Sequence, residues 1–135
     1  MNIEFSDIEF RRLLDLVYVG DWVINSIRGA DRIQEFDNIL DKLFSVCEKQ
    51  GLTELYQKHG DRAAPSRAFE TGGIHEVIAD YEDAIFFDIL AEELARRDIQ
   101  QAGNDPDDVS ELRERIDNYV FEFAQNGVDN LKLDM

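Results

Sequence analysis

The segment Asp105–Gly127, DPDDVSELRERIDNYVFEFAQNG, decides the fold class. Asp105 is a residue type that caps a helix N-terminus, and Pro106 falls at the first helical position, where its missing N–H costs nothing. Asp107 and Asp108 then favour the positive end of the helix dipole. Val109, Leu112, Ile116, Tyr119, Val120 and Phe123 recur every three or four residues, the period of one helix face and not of a strand. Gly127 closes the segment, so the pattern predicts a helix over 106–126 whose Leu112, Ile116, Tyr119 and Phe123 point into a core.

The same period recurs upstream. Ser6 with Glu9 forms a capping-box pattern that starts a helix over 7–28. Ile8, Leu13, Leu14, Leu16, Val17, Trp22, Val23, Ile24 and Ile27 cover more than one stripe of it, which predicts a central helix with a buried Trp22, stopped at Gly29. Asp31 is placed to cap a second helix over 32–50, with a stripe of Ile33, Phe36, Leu40, Leu43, Phe44 and Cys47 and a stop at Gly51. Gly60 to Gly73 has no apolar period and reads as an exposed connection. A long helix follows over 74–101. Ile74, Val77, Ile78, Tyr81, Ile85, Ile89 and one flank of Phe86 and Leu90 form its apolar face, and Glu92–Arg96 and Glu93–Arg97 are acid-first pairs worth about 0.3 kcal/mol each. The ends alternate weakly at Ile3–Phe5 and Leu131–Asp134, a pattern that predicts a minor terminal β-ribbon.

The expected fold is therefore all-α: a single-domain bundle of four main helices over 1–135. At 135 residues, with 44% hydrophobic and 10% aromatic side chains, the chain can bury a real core. One cysteine excludes an internal disulfide framework, and no basic, apolar leader opens the chain. Leu13 to Ile27 is interrupted by Asp15, Gly20, Asp21 and Asn25, so it reads as a core helix and not a membrane span. Composition fits a cytoplasmic, bacterial-type protein.

Charge is the feature that narrows function most. Formal net charge is -16, and Glu70 to Glu93 carries eight carboxylates (Glu70, Glu76, Asp80, Glu82, Asp83, Asp88, Glu92, Glu93) with no Lys or Arg. Such a surface repels nucleic acid, whose binding requires cations. Metal-binding patterns fail. A His-Glu-x-x-His helix would need a histidine where Ala79 stands, and a Glu-x-x-His pair would need a glutamate at Tyr56 or Gly72. Cys47 lies on an apolar stripe, the setting of a core thiol and not of a nucleophile. No metal, cofactor or catalytic residue is assigned.

The reading that follows is a non-enzymatic interaction module of inhibitor, immunity or adaptor type. It docks a basic protein through Glu76, Asp80, Glu82 and Asp83. The alternatives are a bundle with a ligand or catalytic pocket near His75, Tyr81 and Glu82, and a homodimer completed across an apolar stripe.

Overall fold

A computed structural model describes residues 1–135. The fold is all-α with four main helices and one small antiparallel ribbon. In chain order these are α1 (Asp7–Asn25), α2 (Gln34–Lys49), β1 (Tyr56–His59), β2 (Arg62–Pro65), a single turn α3 (Arg67–Phe69), α4 (His75–Gln101) and α5 (Val109–Asn126). Packing separates two compact units, Met1–Ile78 and Ala79–Met135. No helix is long and apolar enough to cross a membrane.

In the first unit the capping box forms as predicted. The Ser6 hydroxyl accepts from the Glu9 amide at 3.2 Å, and Glu9 accepts from the Ser6 amide at 3.0 Å. α1 ends at Asn25, three residues short of the expected stop, because the Asn25 side chain captures the chain ahead of α2. Its Oδ1 accepts from the Ile33 amide at 2.9 Å, and its Nδ2 donates to the Ile33 carbonyl at 3.1 Å. Ile33, not Asp31, occupies the cap position of α2; Asp31 instead accepts from the Gly29 amide. α2 stops at Gly51, whose φ of 71° lets the Leu52 amide reach back to the Cys47 carbonyl at 2.9 Å.

The core of this unit joins Leu14 and Tyr18 of α1, Leu40, Phe44 and Cys47 of α2, Ala63 of β2, Phe69 and Ile78. Fully burying side chains of this size contributes about 1.5–3 kcal/mol each. Two expectations are corrected. α1 is not central, since Ile8, Leu16, Val23 and Ile27 are exposed and only one stripe is covered. Trp22 is not buried; it lies at the core's edge against His75, with ring centroids 4.7 Å apart.

Gly60 to Gly73 is likewise not an exposed connection. It contains β2, paired with β1 in the register Tyr56↔Pro65 to His59↔Arg62 around a turn at left-handed Gly60. β2 turns Ala63 and Pro65 inward, and Ser66 caps the following turn by accepting from the Phe69 amide at 3.1 Å. The predicted ribbon of the chain ends does not form: neither 1–6 nor 128–135 contains a strand. The ribbon sits at 56–65, where the strands are joined by a two-residue turn. Adjacent strands so connected pair more readily than distant ends.

The second unit is an antiparallel hairpin of α4 and α5. α4 ends at Gly103, whose φ of 79° lets the Asn104 amide reach the Ile99 carbonyl at 3.1 Å. The run Asp105–Asp108 forms a turn, and Asp108 is the cap that accepts from Ser110 and Glu111, so α5 starts at Val109 and not at Pro106. Ala91, Ala95, Ile99 and Phe123 are buried. Phe123 meets Phe87 at 5.4 Å and Tyr119 at 5.9 Å. Leu112, Ile116 and Tyr119 are half-buried. Asp98 accepts a hydrogen bond from the Tyr119 hydroxyl and pairs with Arg97; burial opposes its charge, but these two donors outweigh it and hold the carboxyl below its usual range.

Phe44 has 0% exposure. Phe44→Ala is expected to lower stability by about 3–5 kcal/mol in a urea titration. Ile116→Ala, at a half-buried position, is expected to cost clearly less than Phe44→Ala.

Candidate functional site

Glu76, Asp80, Glu82 and Asp83 are all exposed on α4. They do not share one surface. At about 100° per residue, Glu76, Asp80 and Asp83 fall within about 60° of one another, while Glu82 points roughly 120° away from their centre. Glu76 belongs to the first unit and the other three to the second.

What unites the Glu70–Glu93 stretch is its lack of counter-charge. Of its eight carboxylates only Glu92 has an ion pair, with Arg96 at 3.0 Å. The expected Glu93–Arg97 pair is absent because Arg97 turns to Asp98 at 2.7 Å, leaving Glu93 free. Elsewhere eight of the twenty-two acids have a cation within 4.0 Å. Asp15 pairs with Arg11 and Arg12, Asp37 with Arg32, Asp41 with Arg62, Glu48 with Lys58, and Glu111 with Arg115. From position 79 onward there are sixteen Asp and Glu against five Lys and Arg, so the second unit holds most of the net charge.

The same helix carries an uncovered apolar stripe. Tyr81 is 60% exposed, Phe86 52% and Ile89 53%; Ile85 is half-buried. Of the apolar face of α4, Ile78 is buried, whereas Val77, Tyr81, Phe86 and Ile89 are exposed.

Three other constellations complete the inventory. Tyr18 and His75 share a hydrogen bond of 2.6 Å inside the first unit, with Trp22 edge-on to the imidazole. Burial, then the nearby charges of Glu70 and Asp21, push the Tyr18 hydroxyl up to about 12. Sequence spacing gave no sign of this contact, which joins residues 57 apart. A cleft of about 640 Å3 runs beside Phe5, Phe10, Leu13, Leu43, Val46 and Leu55, and a shallower one of about 370 Å3 beside Arg32, Asp37, Asp41 and Arg62. His75, Tyr81 and Glu82 line neither. Cys47 has no exposure, and burial raises its thiol pKa. No three His, Cys, Asp or Glu side chains gather in a metal-binding arrangement.

Tyr18 supplies a pH prediction. Its folded pKa lies above the ordinary 10.0, so the unfolded chain loses this proton first and the folded chain keeps it. The stability this group contributes is complete below pH 10 and lost as pH rises toward 12. An ultraviolet titration is expected to show late ionisation from Tyr18 and Tyr119, and Tyr18→Phe is expected to remove one of the two late-ionising groups.

Comparison with protein-family models, with curated proteins and with solved structures returned no match, so the functional reading rests on the chemistry of these residues.

Proposed function

We propose that this chain is a protein-binding module of inhibitor, immunity or adaptor type that docks a basic protein through the free carboxylates of α4. One observation carries the reading. Seven of the eight acids between Glu70 and Glu93 have no cationic partner, whereas eight of the other twenty-two acids of the chain are paired with arginine or lysine. Leaving like charges uncompensated along one helix works against folding through self-repulsion. A surface kept in that condition is complementary to a cationic one, and it speeds association by steering.

The chemistry points to a protein and not to nucleic acid, since a polyanion would be repelled by the same field. It points to association and not to turnover, because none of the exposed acids of α4 lines a cleft where burial could split a carboxylate pair into acid and base.

The test begins with capture of binding proteins at low salt, with a high-salt wash as control. Asp80, Glu82 and Asp83 are then neutralised together to Asn or Gln, with Glu76→Gln added in a second step. The expected result is an association rate lowered by roughly tenfold at low salt, a flatter salt dependence, and unchanged or increased stability. A captured partner whose on-rate and salt dependence are the same for parent and variant would overturn the proposal and leave the charge a solubility device.

A further inference from the structure

The uncovered stripe of α4 specifies the partner more closely. Tyr81, Ile85 and Ile89 are spaced four apart, so they climb one side of the helix as a continuous ridge, with Phe86 beside it. Tyr81, Phe86 and Ile89, each half or more exposed, with the half-buried Ile85 between them, form a contact surface over more than two turns and not a scatter of single residues. The ridge is bordered by acid: Asp88 on the Tyr81 side, Glu82 and Glu93 between Ile89 and Phe86. All three are exposed and unpaired. Glu92, also adjacent, is already neutralised by Arg96.

Charge decides between the occupants such a ridge can take. A second copy of this chain would bring another set of unpaired carboxylates against these, and like charges in close contact are unfavourable. A neutral apolar segment would cover the ridge but leave Glu82, Asp88 and Glu93 without partners at a drying interface, which is costly. A helix with one apolar stripe and Lys or Arg on both borders satisfies every group at once. Its apolar side chains take the i, i+4, i+7 spacing that packs along a helix ridge, and its cations meet the bordering acids. We infer that the Tyr81–Ile85–Ile89 side of α4 receives a basic amphipathic helix of a partner protein. This rests on the proposal that the chain binds a basic protein, and it moves the contact from the Glu76, Asp80 and Asp83 side to the opposite side of the same helix.

Synthetic peptides of about five helical turns test it. One peptide carries leucines on a single stripe bordered by lysines. The control has the same composition with leucines spread around the helix. Both are titrated against the full chain and against three variants: Tyr81→Ser with Ile89→Ser; Glu82→Gln with Asp88→Asn and Glu93→Gln; and Glu76→Gln with Asp80→Asn and Asp83→Asn. The expected result is that the striped peptide binds at least roughly tenfold tighter than the control. The Tyr81 and Ile89 variant should abolish that preference while its melting temperature holds, and the Glu82 variant should weaken binding more than the Glu76 variant. If both peptides bind equally and every acid-neutralised variant weakens them alike, the helix inference fails while the acidic-surface proposal stands. If neither peptide binds at low salt, both fail. If sedimentation shows a dimer that Ile89→Ser dissociates, the ridge belongs to a second copy and the inference is overturned.

Discussion

Asn25 is a polar side chain with no access to water, and the first unit is arranged around satisfying it. Its amide takes both backbone groups of Ile33 and donates to Asp21 at 3.1 Å, so one residue ends α1, fixes the start of α2 and sets the spacing between them. An unmet buried donor or acceptor costs about 1–3 kcal/mol, which makes any other course for the chain between Asn25 and Gln34 unfavourable. With that turn set, Leu40, Phe44 and Cys47 face Leu14 and Tyr18, and the ribbon brings Ala63 into the same core.

The second unit is governed by a different constraint. Its buried positions on α4 include two alanines, Ala91 and Ala95. Such small side chains offer little apolar area. Ile99 is buried there too, but Tyr81, Phe86 and Ile89 lie on another side of the helix and are left in solvent. Arginines are spent near the turn between the helices, on Glu92, Asp98 and Glu111. Exposed pairs of this kind contribute about 0–1 kcal/mol each, so their main effect is on where charge remains. It remains on the half of the helix that precedes them.

How far the sequence could be read depended on contrast. α2 and α5 were legible because large apolar residues recur against charged neighbours and a glycine stops each helix. Gly51 and Gly127 indeed take positive φ, 71° and 55°. β2 was not legible because its inward residues are Ala63 and Pro65, too small to mark an alternation. Asn25 reads as a break in an apolar stripe, although its burial is what shapes the turn. The acids of the candidate surface were legible as charge, and their counter-charges were not. Spacing permits both Glu92–Arg96 and Glu93–Arg97, and only the structure shows Arg97 turned to its neighbour Asp98. For the ridge on α4, periodicity states that a face is apolar and is silent on what covers it.

Cys47, sealed among Phe44, Leu14 and the ribbon, gives the molecule a built-in clock. A thiol with no exposure and a raised pKa is inert to alkylating and oxidising reagents while the fold is closed. It reacts only in the moments when the first unit opens. With a single sulfhydryl in the chain, the pace of labelling counts those openings directly. Oxidative damage at this position would then record how often the protein has unfolded, not how much oxidant it has met.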